Sequence, residues 1–148
     1  MKFLDSNIIL YAYLRPKKGE KLSKVVLERK EISKEILKRI EEGSEEVVIS
    51  TIHLGEILNI ISAKLGSEKA VLFLAKILSL KNVKIVAVSR ETYEKALEVC
   101  LNENIEPNDA IAIVIMRKLN FKEIYTFDSD FMNIKNIHPI LLEKKKSQ

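Results

Sequence analysis

The sequence predicts an α/β fold built on a mostly parallel sheet. Three observations carry that prediction. Short apolar runs alternate with longer segments whose apolar residues recur at three- and four-residue steps. The alternation of strand and helix persists along the chain, as crossover connections between parallel strands require. A chain of 148 residues that is 47% hydrophobic and 31% charged has the size and composition of one globular unit with a real core.

The elements follow in order. "MKFL" is a short apolar strand. "NIILYAYL" reads as a helix, and "RPKKGEK" stops it with Pro16 and Gly19. From Lys21 to Glu42 the pattern is helical: Leu22, Val25, Val26, Ile32, Ile36, Leu37 and Ile40 share a face, and Gly43 suits the position past the end. "VVIS" at 47–50 is a strand, followed by a helix over "TIHLGEILNIISAKL" that ends at Gly66. Ser67 is placed to cap the next helix, "SEKAVLFLAKILSL", whose stripe Leu72, Ala75, Ile77, Leu78 reads as core or dimer surface. Val83 to Val88 is a strand. "SRETYEKALEVCLNEN" is a helix for which Ser89 and Thr92 compete as cap. "PNDAIAIVIMRKL" is a helix opened by Pro107 and Asn108. "EIYTF" is a strand, and "HPILL" holds a last short one. A single domain is expected over 1–143, with 144–148 as a disordered basic tail containing Lys144, Lys145 and Lys146.

Composition narrows the function classes. The net charge of +4 and pI of about 9.1 permit nucleic-acid binding without requiring it. Cys100 is the single cysteine, so no intrachain disulfide forms, and it reads as a small core residue. His53 and His138 are scattered, which leaves no zinc-ligand spacing; His53, three residues before Glu56, reads as a polar residue on a helix face, with a ligand role as the alternative. No apolar run approaches the roughly 18 residues of a membrane span. The start "MKFLDSN" meets an acid before a signal sequence can build up, so a cytoplasmic protein is expected, with no membrane partner.

Four acids fall in telling places. Asp5 follows the first strand and Asp128 follows "EIYTF". In parallel α/β sheets ligands bind outside the carboxyl ends of the strands, where both acids belong. Asp109 lies in the first turn of a helix that runs Ala110 to Met116 without a polar residue. Such a helix is buried, which brings its N-terminus to the same edge; helix capping is the plainer role for Asp109. Glu56 stands between Ile52 and Ile60 on one helix, so its carboxylate needs a cation or donors, and a structural ion pair is the alternative there. Taken together the acids suit a hard divalent cation. Carboxylates about 4 Å apart repel by roughly 4 kcal/mol at an effective dielectric of 20, and Mg²⁺ or Mn²⁺ removes that cost. Such ions activate water and stabilise a leaving oxygen at phosphorus.

Four segments then resemble the motifs of the PIN-domain family, in particular its VapC-like endoribonucleases of toxin–antitoxin pairs. "FLDSNIIL" looks like the opening strand, with Asp5 and a polar companion at Asn7. "STIHLGEIL" is similar to the second motif, with Ser50 and Glu56. "NDAIAIVIMRKLN" resembles the third, where Asp109 opens an Ala-rich buried helix. "TFDSDF" looks like the fourth, giving Thr126, Asp128, Asp130 and Phe131. The four stand in family order over nearly the whole chain.

The resemblance implies a three-layer sandwich with a central, mostly parallel sheet. It implies a Mg²⁺- or Mn²⁺-dependent endoribonuclease that hydrolyses single-stranded RNA by metal-activated water, leaving a 5′-phosphate and a 3′-hydroxyl. Asp5, Glu56, Asp109 and Asp128 would hold metal. Asn7 and Thr126 would orient carboxylates or the attacking water. Asp130 would be a further ligand or, preferably, the cap of the "SDF" turn. A homodimer and a small cognate antitoxin are the implied partners beside the RNA, in a toxin or an RNA-processing enzyme. The departure is 17–43, longer and more charged than in compact members; it serves RNA contacts, dimer contacts or a partner's docking groove. Arg15, Lys17, Lys18 and Lys21 are placed to line an RNA path or to be a solvated loop.

Two rivals compete. A haloacid-dehalogenase-like phosphatase also puts an Asp after its first strand, but wants a second acid two residues on, where Asn7 stands. A non-catalytic PIN-like interaction module would keep the acids and bind metal without cutting RNA. Ser6 has no basic partner in the sequence and is a poor nucleophile.

Overall fold

The structure, a computed structural model, describes residues 1–141. The expected basic tail at 144–148 lies outside the described residues. Five strands, β1 (Lys2–Leu4), β2 (Val47–Ser50), β3 (Val83–Val86), β4 (Glu123–Tyr125) and β5 (His138–Pro139), form one sheet in the order β3-β2-β1-β4-β5, and every pairing is parallel. Between them run α1 (Ser6–Tyr13), α2 (Lys24–Glu41), α3 (Thr51–Leu65), α4 (Ser67–Ser79), α5 (Arg90–Glu103) and α6 (Pro107–Lys118).

Alternation along the strands divides the core in two. Phe3, Val48 and Ile124 point to one face, where they meet Ala96 of α5, the whole run Ala110–Met116 of α6, and Phe131. Leu4, Val47, Ile49 and Tyr125 point to the other, where they meet Ile8 and Ile9 of α1, Ile36 and Ile40 of α2, Ile57 and Ile61 of α3, and Phe73 and Ile77 of α4. This is the expected helix–sheet–helix sandwich. Cys100 packs beside the first cluster as a free, half-buried thiol.

Several boundaries differ from the sequence reading, each for a local reason. Helix α2 starts at Lys24 because Ser23 accepts the Val26 N–H at 3.2 Å. Gly66, at φ +97°, ends α3 and also stands before α4, so Ser67 is the first helical residue of α4 and not its cap. β3 stops at Val86, and the Val88 N–H turns out of the sheet onto the Thr51 hydroxyl at 3.1 Å. Ser89 and Thr92 do not compete: they form a reciprocal capping box on α5. On α4 the buried stripe is Ala70, Phe73 and Ile77, while Leu72 and Leu78 are 61% and 64% exposed; of the predicted stripe Ile77 alone is core. "HPILL" contributes only two residues to the sheet, and its proline sits on an edge strand, where a missing N–H is harmless.

The carboxyl ends of β1, β2 and β4 run directly into Asp5, Thr51 and Thr126. β1 is central, so its end is flanked on both sides.

Candidate active site

Asp5 is the first residue past β1, and its backbone N–H donates to the Tyr125 carbonyl at 3.1 Å, which ties it to β4. Its carboxylate is buried. The Thr126 hydroxyl donates to Oδ2 at 2.7 Å, and the Ser6 hydroxyl lies 3.5 Å from Oδ1. Burial raises the Asp5 pKa to about 6, with Asp128 and Glu56 adding to the rise and the Thr126 hydrogen bond opposing it. Thr126 is a junction: its oxygen also accepts the Asp128 N–H at 3.0 Å and stands 3.5 Å from Asn7 Nδ2. The Asn7 Oδ1 is buried without a hydrogen-bond donor.

Asp128 opens a short 3₁₀ turn, Ser129–Asn133, and its Oδ1 accepts the Asp130 N–H at 2.9 Å. The cap of the "SDF" turn is therefore Asp128, and Asp130 serves it through its backbone. The Asp130 carboxylate is exposed and belongs to a different grouping: one oxygen each of Asp109, Asp128 and Asp130 lie within 4.8 Å of one another.

Asp109 is the third residue of α6. Glu106 holds the cap position, and no side chain caps this helix, so capping does not explain Asp109. Burial pushes its pKa up to about 8, followed by the charges of Asp5 and Asp128, a hydrogen bond with Asp128, and the charge of Asp130. Its neighbours leave it no compensating cation: among the described residues none of Asp5, Glu56, Asp109, Asp128 and Asp130 takes part in an ion pair.

Glu56, on α3, is half-buried. Its Oε1 accepts the Ser6 hydroxyl at 2.9 Å and its Oε2 the Asn108 amide at 3.4 Å. Among the described residues, donors from α1 and α6, and no lysine or arginine, hold this carboxylate. The sequence-predicted acids are thus brought to one edge in two parts: Asp109 and Asp128 cluster with Asp130, while Asp5 and Glu56 stand beside them, joined through Ser6.

The sequence does not mark two residues of the site, Ser6 and Asn108, and it places a third, His53, differently. Ser6 was weighed only as a nucleophile, yet its hydroxyl bridges Glu56 and Asp5; Asn108 was read as a helix opener, yet it reaches across to Glu56. His53 was expected on a polar face and is 2% exposed. Its N–H donates to Ser50 Oγ at 3.0 Å, its Nδ1 bonds the same hydroxyl, and its ring stands edge-on to Phe3 at 5.1 Å. Burial lowers its pKa to about 4 against the opposing charge of Glu56, so it is a neutral buried buttress under α3. Phe3, alternating to the same side, was the available signal.

Comparison with known proteins agrees with the fold. No helix among the described residues is long and apolar enough to cross a membrane. The fold is similar to that of VapC20 from Mycobacterium tuberculosis, a toxin that cleaves the sarcin–ricin loop, at a TM-score of 0.68 and 23% identity over 95% of this chain and 98% of that one. It is similar to a toxin–antitoxin complex from Klebsiella pneumoniae, at a TM-score of 0.63 and 15% identity over 93% and 96% of the two chains. It is also similar to VapBC2 from Rickettsia felis bound to a DNA fragment of its promoter, at 0.61 and 20% over 92% and 94%. Curated protein sequences give no match. The PIN domain family model matches residues 2–137, and the chain belongs to the PIN-domain family.

Proposed function

We propose that the protein is a divalent-metal-dependent endoribonuclease acting on single-stranded RNA, and that it is the toxin of a toxin–antitoxin pair. The observation that carries this reading is the acid cluster at the carboxyl edge of the sheet, which has no cationic partner among the described residues; burial first, and then the charges of Asp5 and Asp128, push the pKa of Asp109 up to about 8. A fold keeps like charges together where a cation is meant to sit between them. The donor set is all carboxylate oxygen, which fits Mg²⁺ or Mn²⁺ and not a softer metal.

Asp109, Asp128 and Asp5 would hold the metal, with Asp130 as an exposed further ligand and Glu56 as the acid on the far side. The bound ion supplies water activation at neutral pH and neutralises charge at phosphorus. The chain's own residues fix the frame. Thr126 orients Asp5 and the Asp128 backbone with one hydroxyl. Ser6 and Asn108 hold the two oxygens of Glu56. Asn7 Oδ1, buried without a donor, is an acceptor placed beside them. An in-line cut that leaves a 5′-phosphate and a 3′-hydroxyl needs no covalent nucleophile from the protein. The structural likeness to toxins supports a cognate antitoxin, and exposed Val71, Leu72 and Leu78 on α4 support a homodimer.

The direct test is cleavage of RNA oligomers with Mn²⁺ or Mg²⁺, with a chelator, and with Asp5→Asn. Cleavage lost with both chelator and substitution is the expected result. Cleavage unchanged in Asp5→Asn would sink the assignment, and Mn²⁺ binding without cleavage by the parent would identify a PIN-like interaction module. A subtler expectation concerns Ser6→Ala. Removing a donor that holds a ligand costs about 10–100-fold in metal affinity. Calorimetric titration of Mn²⁺ should show such a loss with little change in melting temperature; unchanged affinity would detach Ser6 from the site.

A further inference from the structure

We infer that α2 carries the backbone of the RNA away from the acid cluster, with Arg29 as the anchoring phosphate contact. The inference rests on the ribonuclease reading and deepens it by placing the substrate's path.

Charge is the first observation. Residues 15–39 hold ten Lys or Arg against four Glu, a net of +6, in a chain whose total is +4. The positive excess of the protein is concentrated in one segment, while the rest carries a small negative excess. An electrostatic footprint of this kind is what a polyphosphate backbone needs.

The second observation is the setting of Arg29. Its guanidinium carbon stands 5.2 Å from the Phe127 ring centroid and 5.7 Å from that of Tyr11, and Nη1 donates to the Tyr11 hydroxyl at 3.0 Å. The two rings meet edge to face at 5.3 Å, so the platform under the cation is rigid. The Nε is buried without an acceptor. Arg39, Arg90 and Arg117 each pair with a glutamate, at 3.6, 3.1 and 2.9 Å, whereas among the described residues Arg29 has no carboxylate partner. A fixed guanidinium, held by aromatic faces and neutralised by no carboxylate among the described residues, is shaped for an external oxyanion. Phe127 lies between Thr126 and Asp128, so the platform belongs to the segment that bears the site.

Third, neighbouring cations are held in place. Lys30 Nζ donates to the carbonyls of Ala12 at 3.1 Å and Leu14 at 2.5 Å, which closes the end of α1 and fastens α2 against it. Burial lowers the Lys30 pKa, and the charges of Lys34 and Arg15 lower it further, against Glu31. Lys34 and Arg15 thus lie close enough to oppose the charge of Lys30, and a strand of phosphates would relieve that repulsion.

The test uses full-length protein and a single-stranded RNA oligomer. Arg29→Gln should raise KM about tenfold at nearly unchanged kcat, and should lower the slope of log affinity against log salt by about one. Arg29→Lys should recover the salt slope but not the full affinity. Lys34→Gln, an exposed position away from the aromatic platform, should lower the slope without a change in melting temperature, which separates charge from folding. An unchanged KM and slope in both Gln variants of a cleaving protein would overturn the inference. It would also fall if Arg29→Gln weakened binding of a polyglutamate peptide while leaving RNA binding intact, since the surface would then suit an acidic protein. If the parent cleaves no RNA, the ribonuclease reading fails, while the salt slope of RNA binding still tests Arg29.

Discussion

Asp109→Asn should lose nearly all RNA cleavage, yet melt at a higher temperature than the parent at pH 8 when divalent cations are removed. The two effects share one cause. The Asp109 pKa rises from 3.8 to about 8, by burial first and then by the charges of Asp5 and Asp128. The folded state therefore keeps a proton that the unfolded chain releases. Stability from this group falls as pH climbs from about 4, and the loss is complete above about 8. Asp5, raised to about 6, contributes in the same direction over a narrower window. Asparagine cannot ionise, so the variant escapes the penalty at pH 8 and gains little at pH 5. Cation binding reverses the order. At a hundred times its dissociation constant a ligand stabilises the fold by about 2.7 kcal/mol, or roughly 5–10 °C for a chain of this size. The parent should show that rise with Mn²⁺ at pH 8, and the variant should lack most of it. Cleavage should fall at least about a hundredfold, as for loss of a charge-stabilising group. Melting curves with chelator and with Mn²⁺ at both pH values decide the matter. A variant that melts lower than the parent in chelator at pH 8, or that binds Mn²⁺ as well, would refute it.

How far the sequence already contained this site depends on how local each cause is. Asp5 and Asp128 were legible because a strand end is marked by the next residue in the chain, and parallel strands put such ends on one edge. Asp109 was legible because seven successive apolar residues, Ala110 to Met116, have to be buried, which fixes where the helix begins. The bonds from Ser6 and Asn108 to Glu56 span 50 and 52 residues, and no periodicity announces which polar groups will face each other across α1, α3 and α6. The division of labour between Asp128 and Asp130 was misread for a related reason. Either acid satisfies a turn by composition; only the backbone path shows that Asp128 accepts and Asp130 is left outward. On α4 the sequence left the stripe open between core and dimer surface, because Leu72 and Leu78 are as apolar as Phe73 and Ile77; the neighbouring helices take Ile77 into the core and leave Leu72 and Leu78 exposed.

Phe131→Ala should cost about 3–5 kcal/mol of stability, as large-to-small changes at fully buried aromatic sites do. Phe131 is 0% exposed and packs with Ile124, Ile134 and Ile137 in the core beneath α6. It also belongs to the turn that presents the acids: its N–H reaches the Asp128 carbonyl at 3.4 Å, and the Ile134 N–H reaches its own carbonyl at 3.4 Å. The ring is therefore the fixed point from which Asp128 and Asp130 are cantilevered towards Asp109. A cavity there loosens two of the three clustered acids at once. Phe131→Leu fills most of the volume and should lose less stability and keep most of the Mn²⁺ affinity, whereas Phe131→Ala should lose affinity even at temperatures where it remains folded. Denaturant midpoints paired with Mn²⁺ titrations separate the two contributions. If Phe131→Ala bound Mn²⁺ like the parent, the acids would be held by the hydrogen bonds around Thr126 alone. A stability loss below about 1 kcal/mol would mean that the core collapses around the missing ring, since the cost of such a change depends on how well the site can close.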